Sequence, residues 1–127
     1  MKTRSPNSTY YRNKADSLFM AQFRGMNCEV CGTHIGTCGH HIVSKGRSKA
    51  LRYDIKNIVV VCPSHHTMGN DKAPHSTNTL AVERFIEWFK AKKPEQYEYV
   101  TENERVERRY TYKQAVENMK AGRLAWL

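Results

Sequence analysis

Four residues with metal-binding side chains occur as two closely spaced pairs. Cys28 and Cys31 are separated by two residues, and Cys62 and His65 repeat this spacing further along the chain. Thiolate sulfur and imidazole nitrogen can close a tetrahedral site around Zn(II) with no open position, which stabilises a core too small to hold itself. The spacing therefore predicts a structural zinc site. The alternative, buried free cysteines and a surface histidine, requires two independent coincidences of spacing.

The fourth cysteine, Cys38, falls outside these pairs. We interpret it as a small packed thiol, ahead of an alternative zinc ligand. No apolar stretch of signal-peptide type precedes the cysteines, which predicts a cytosolic, reduced chain and makes disulfides the last choice. A redox protein or metal chaperone is disfavoured because no βαβ pattern surrounds Cys28 and Cys31.

A second set of polar residues lies between and beside the cysteine pairs: His40, His41, Asn57 and His66. Neighbouring residues of a strand point to opposite sides, so His40 and His41 are expected to divide two roles. One can hold a divalent metal against a phosphate oxygen, and the other can take a proton from an attacking water. On a helix, His65 and His66 would lie about 100° apart, so one can face the zinc and the other a substrate groove.

The chain is strongly basic, with a formal net charge of +9 from 21 Lys and Arg against 12 Asp and Glu. Such a charge favours a polyanionic partner, although it also fits a generic basic protein. Five basic residues lie close to the histidines in the sequence and are predicted DNA-binding contacts to phosphate: Lys45, Arg47, Lys49, Arg52 and Lys56. Binding of this kind is expected to be salt-sensitive and mostly indifferent to base sequence.

The elements that must position these residues are short. An apolar stripe predicts a first helix over residues 13–25, and strands are predicted at residues 39–43 and 58–61. Pro63 suits the first turn of a short helix that carries His65 and His66. Further apolar stripes predict a helix over about residues 79–92 and a last helix from a capping box at Thr111 to about residue 122. Residues 96–110 show no clear hydrophobic periodicity.

Length and composition indicate one domain with 39% hydrophobic residues, and its predicted helices and short strands indicate the α+β class. The longest apolar run, residues 58–62, is far shorter than the roughly 20 residues that a membrane-spanning helix needs. No membrane association is therefore expected.

Taken together, the motifs resemble the signature of HNH endonucleases. The matching segments are Cys28-x2-Cys31, Gly39-His40-His41-Ile42, Asn57-Ile58 and Val61-Cys62-x2-His65-His66. The strings RYDIKN, VCPSHH and PEQYEY are similar to small bacteriophage HNH proteins, and the resemblance covers roughly residues 14–100. It implies a ββα-metal core with an added zinc site in residues 13–95, after a flexible N-terminus (1–12) and before a C-terminal helical extension (96–127).

The resemblance also implies residue roles. His40 matches the first ligand of the catalytic ion, His41 the general base, Asn57 the residue that orients this base, and His66 a further ligand. Many HNH proteins have one more ligand a helical turn after His66. Here Asn70 stands at that position, and Asn70, Asp71, the later His75 or water could serve, although Asn70 also suits a helix C-cap. The expected ion is Mg²⁺ or Mn²⁺, with Ni²⁺ possible.

By this resemblance the chain is expected to hydrolyse DNA phosphodiester bonds, nicking or cleaving duplex or branched DNA. Phage DNA processing or recombination in the bacterial host cytoplasm is the expected setting, with the protein a monomer or a homodimer. The alternative is a non-catalytic zinc-ribbon module that binds nucleic acid, in which the histidines are merely packed. That alternative explains the zinc pairs and the charge but not the set of His40, His41, Asn57 and His66.

Overall fold

The computed structural model describes residues 3–69 and 71–122 and shows a mixed fold of helices around a small sheet. Strand β1 (Cys38–His41) pairs antiparallel with β2 (Ile58–Val61), and their register places His40 opposite Val59 and His41 opposite Ile58. The predicted α+β class is confirmed.

The helices of the described residues surround this sheet. They are α1 (Thr9–Ala21), α2 (Thr79–Lys92), α3 (Pro94–Asn103) and α4 (Tyr112–Lys120), and short 3-10 turns cover Ile55–Asn57 and Pro63–His65. None of the helices in the described ranges combines the length and the apolar character that crossing a lipid bilayer requires.

The alternation of side chains along β2 divides the core into two layers. Ile58 and Val60 belong to one buried cluster, which also contains residues of α1 and α4. Val59 and Val61 belong to the other, with residues of α2 and α3. All four side chains are therefore buried, which explains why β2 reads as an unbroken β-branched run.

The same alternation separates the two histidines of β1. The ring of His40 packs 5.7 Å from the ring of Phe85 in α2, whereas the ring of His41 lies 5.9 Å from that of Phe19 in α1. Adjacent strand positions thus place the two imidazoles against opposite layers, as the period of two predicts.

Several elements differ from the sequence predictions. Helix α1 begins at Thr9, because the Ser8 side chain accepts a hydrogen bond from the backbone N–H of Tyr11 and caps the helix before Asn13. The prediction of a short helix after Cys62 is wrong beyond the single 3-10 turn at Pro63–His65. The backbone N–H groups of residues 66–68 all donate hydrogen bonds to the carbonyl of Pro63. His66 has a φ of −121°, outside the helical range.

The segment after α2 also differs. Residues predicted without regular structure form α3, which starts at Pro94 and buries Val100. The capping box at Thr111 is confirmed, and the helix it opens is α4. Both helices of the predicted C-terminal extension contribute buried residues to the two clusters, so the described part of this extension belongs to the same core.

We expect Gly39→Ala to destabilise the fold by about 1–3 kcal/mol, because a Cβ at this strand position would overpack the contacts of β1 with β2 and with the segment at the end of α1. An added Cβ would lie 2.9 Å from both Ile58 Cγ2 and Phe23 Cδ2. Urea unfolding measures the change. Gly46→Ala is the matched control, since nothing lies within 4 Å of its Cβ position, and an equal loss in the two variants would contradict the packing argument.

Candidate metal centres and the histidine site

The structure brings the two cysteine-containing pairs together. Cys28, Cys31, Cys62 and His65, here called the cysteine cluster, present ligand atoms that all lie within 4.8 Å of one another. Sγ of Cys31 lies 3.7 Å from Sγ of Cys62, and Nδ1 of His65 lies 3.3 Å from Cys62 Sγ and 3.9 Å from Cys28 Sγ. The four predicted ligands therefore form a group that could hold a metal ion such as zinc.

These distances agree with tetrahedral coordination. Zinc bonds of about 2.3 Å to sulfur and about 2.0 Å to nitrogen would place two sulfurs about 3.8 Å apart and a sulfur and a nitrogen about 3.5 Å apart. The chemistry of the donors agrees as well. Burial opposes ionisation of the Cys28 thiol, but hydrogen bonds from the backbone of Cys31, Cys62 and Val30 lower its pKa overall, which favours the thiolate that binds metal.

Hydrogen bonds of Glu29 attach the loop that carries Cys28 and Cys31 to the free edge of β2. The N–H of Glu29 donates to the carbonyl of Val60, and the Glu29 carboxylate accepts from the N–H of Val60. The N–H of Gly32, at φ +84°, donates to the carbonyl of Cys28 and closes the knuckle. A sheet of two strands is thereby protected on one edge by the loop that carries two of the ligands.

A second group of ligands lies beside β1. His40, His66 and His75, here called the histidine cluster, have ring nitrogens within 4.8 Å of one another. The backbone N–H of His75 donates to the carbonyl of His66 at 2.8 Å, so the loop after the 3-10 turn folds back and places both imidazoles near His40. Of the alternatives left open by the sequence, Asn70 lies outside the described residues, and His75 is the one that joins the cluster.

The histidine cluster suits a cation because burial favours the neutral form of two of its imidazoles, those of His40 and His66. Burial, reinforced by the neighbouring His75, His66 and His41, lowers the pKa of His40 to about 3. Burial and His75 also lower the pKa of His66. Neutral imidazole is the form that ligates metals, so the lowered pKa values of His40 and His66 favour binding of a cation between the three rings.

His41 is held differently from its neighbour. Its Nε2 lies 2.9 Å from the carbonyl oxygen of Arg52, and a carbonyl can only accept, so Nε2 carries the proton. Burial lowers the pKa of His41, although the bond to Arg52 opposes this shift. The neutral ring then keeps a lone pair on Nδ1, as a proton acceptor requires.

Asn57 is fully buried and ties both ends of the loop between the strands. Its amide oxygen accepts from the N–H of Val43, and its amide nitrogen donates to the carbonyls of Val43 and Leu51, all at 2.8–3.1 Å. These bonds fix the loop that supplies the carbonyl of Arg52 to His41.

The five predicted phosphate contacts have unequal surroundings. The side chains of Lys45 and Arg47 are 55% and 70% exposed, although Lys45 lies 3.8 Å from Asp16 and Arg47 pairs with Glu104. Lys49 donates to the carbonyl of Tyr110, and Lys56 lies over the ring of Tyr99. Arg52 is the clear exception, because only 8% of its surface is exposed to solvent.

The buried Arg52 has a partner that the sequence analysis missed. Its Nε and one terminal nitrogen donate to the two carboxylate oxygens of Asp16, at 3.0 and 2.7 Å. Asp16 stands in α1, far from the motifs, so no spacing rule could have identified it. The Arg52 side chain is therefore buried in a pair with Asp16 and does not face solvent, as a phosphate contact would require.

An apolar groove of about 260 Å³ opens beside the histidines. It is bordered on one side by His40, His41 and His75, and on the other by α2 and Tyr97, including Val82, Phe85, Ile86 and Phe89. Although the two histidines of β1 pack against different layers, both reach this groove at the end of the strand. A substrate bound there would meet the histidine cluster and His41 together.

We expect Cys62→Ser to abolish tight zinc binding and lower the free energy of unfolding, by about 4 kcal/mol when free zinc is about 1,000 times its dissociation constant. Zinc released by a mercurial thiol reagent and thermal unfolding report the two effects. Cys38→Ser is the matched control, since Cys38 does not belong to the cysteine cluster and should leave thiolate-bound zinc unchanged. Equal zinc release from wild type and Cys62→Ser would exclude this site.

Comparisons with known protein families, curated proteins and solved structures give no match for this chain. Its function has to be inferred from its own residues.

Proposed function

We propose that this chain is a metal-dependent endonuclease of the HNH type that hydrolyses phosphodiester bonds in DNA. The observation that carries the proposal is the juxtaposition of two kinds of histidine at one groove. Three imidazoles of the histidine cluster can hold a cation, and the adjacent His41 keeps a free lone pair on Nδ1 because its only ring proton, on Nε2, is donated in a hydrogen bond to a carbonyl.

Further support comes from the arrangement around these groups. The cysteine cluster contributes His65 and the histidine cluster contributes His66, so a single turn of the chain serves both. Zinc in the cysteine cluster would fix this turn and, through it, the position of His66. The net charge of +9 suits a polyanionic substrate, and Lys45 and Arg47 keep exposed side chains on the loop next to His41.

In the proposed reaction, His41 accepts a proton at Nδ1 from a water that attacks the phosphorus in line with the leaving 3′ oxygen. The new P–O bond forms as the bond from phosphorus to the 3′ oxygen breaks, and solvent protonates the leaving group. A divalent cation held by His40, His66 and His75 would supply electrostatic stabilisation of the negative charge that develops on the phosphoryl oxygens. Asn57 and the carbonyl of Arg52 keep the base in position throughout.

The composition of the histidine cluster bears on the choice of ion. Imidazole ligands suit zinc, nickel, copper and iron, whereas Mg²⁺ prefers carboxylate, carbonyl and water oxygens. With three imidazoles as its protein ligands, the catalytic ion is proposed to be a transition metal such as Ni²⁺, with Mn²⁺ behind it and Mg²⁺ last.

We expect the zinc-loaded protein to nick or linearise supercoiled plasmid DNA, faster with Ni²⁺ or Mn²⁺ than with Mg²⁺, because nitrogen ligands hold the first two more tightly. Gel electrophoresis over a range of metal concentrations measures the rate. Intact plasmid under all three metals would contradict the proposal and favour a nucleic-acid-binding module without catalysis.

His41→Ala should reduce cleavage by at least about 100-fold, the usual contribution of a general base, while plasmid and metal binding remain close to wild type. His34→Ala is the matched control, because His34 is exposed and belongs to neither cluster. Cleavage rates, filter binding and metal titration separate the two variants. Full activity of His41→Ala would remove His41 from the role of base.

A further inference from the structure

Helix α1 reaches the histidine site through one carboxylate. Asp16 accepts hydrogen bonds from Arg52 on both of its oxygens and, on Oδ1, a further bond from the Tyr53 hydroxyl at 2.7 Å. The Asp16 side chain is 16% exposed and that of Arg52 9%, so the pair is largely shielded from solvent. Two parallel bonds between a guanidinium and a carboxylate fix orientation as well as distance.

The Arg52 guanidinium also makes a hydrogen bond within its own loop. A third guanidinium nitrogen donates to the carbonyl of Lys45 at 3.1 Å, which ties the start of the loop to its middle. The Arg52 carbonyl is the group that accepts the Nε2 proton of His41 at 2.9 Å. A continuous series of hydrogen bonds thus runs from Asp16 in α1 through Arg52 to the imidazole.

We propose that Asp16 is a positioning residue for His41, acting through Arg52 to keep the imidazole in the tautomer with its proton on Nε2. Asp16 does not line the groove, and its hydrogen bonds go to Arg52 and Tyr53 and not to the imidazole of His41. Its effect is transmitted by the orientation of the Arg52 carbonyl. The two ring nitrogens of a neutral histidine compete for one proton, and the partner of one nitrogen decides which of them keeps a lone pair. In the reaction proposed above, on which the catalytic part of this inference rests, that lone pair is on Nδ1.

Asn57 constrains the same loop but has a different effect. Its bonds go to Val43 and Leu51, which fix the path of the backbone on either side of Arg52. They do not determine the direction of the Arg52 side chain. The Asp16 carboxylate supplies this second constraint, and because its charge is paired with Arg52, a neutral amide cannot replace it fully. One of the amide positions of Asn is a donor and would face a donor of the guanidinium.

The tautomer can be measured without any cleavage assay. Long-range ¹H–¹⁵N correlation spectra of the zinc-loaded protein distinguish Nε2–H from Nδ1–H histidines, and wild type should show His41 as the Nε2–H form. In Asp16→Asn, and in Arg52→Lys, which loses the paired bonds, His41 should show both tautomers in exchange. Circular dichroism establishes that each variant is folded.

Two variants serve as controls. Tyr53→Phe removes a hydrogen bond from the same Asp16 oxygen but leaves the paired bonds to Arg52. Tyr99→Phe removes the bond to Asp54, a buried carboxylate of the same loop, and so imposes a comparable loss of a hydrogen bond. Both should retain the Nε2–H tautomer of His41. An unchanged tautomer in folded Asp16→Asn and Arg52→Lys, or an equal change in Tyr99→Phe, would overturn the proposal.

Kinetics on plasmid DNA then test the catalytic consequence. Asp16→Asn should lower kcat by about 10- to 100-fold with less than about twofold change in KM, as expected of a residue that orients a reacting group through an intermediary. Tyr99→Phe should match wild type. A tautomer change in Asp16→Asn combined with no cleavage by wild type would leave the positioning role intact and refute the nuclease. A kcat unchanged alongside the altered tautomer would overturn the catalytic part of the inference.

Discussion

The buried amide of Asn57 is the interaction on which the arrangement of the site depends. Two antiparallel strands as short as β1 and β2 cannot by themselves fix the long loop that connects them. Asn57 satisfies a backbone N–H and two carbonyls within this loop, and it is fully buried. Any rearrangement of the loop would leave these groups unpaired away from water, which is costly. The loop is therefore rigid where it supplies the partner of His41.

The turn at Pro63–His65 has a similar importance on the other side of the sheet. It places His65 in the cysteine cluster and the next residue, His66, in the histidine cluster. A metal ion in the first group would order the backbone on which a ligand of the second group depends. In so small a fold, with one sheet of two strands in the described residues, a structural ion and a functional site can share a turn because there is little other scaffold to build on.

Helix α1 connects the core to the histidine site. Phe19 packs against His41, and Asp16, less than one turn earlier, holds Arg52. A helix outside the motif-bearing segment therefore supplies both an apolar wall and a charged anchor. The opposite layer, formed by α2 and α3, lines the groove instead, so the two layers on either side of β2 contact the histidine site differently.

The sequence by itself determined the local features. The spacing of Cys28, Cys31, Cys62 and His65 predicted the cysteine cluster, and the period of two along β1 predicted that His40 and His41 face different layers, because ligand spacing and strand alternation are properties of neighbouring residues. Tertiary structure decided what depends on distant residues. His75 joins the histidine cluster because a loop without sequence periodicity folds back towards His66. Arg52 is buried because Asp16 of α1 pairs with it. Helix α3 was not predicted because its charged sequence, which buries Val100, shows no clear hydrophobic period. No pattern along the chain encodes such long-range pairings, since they are fixed only when the helices pack on the sheet.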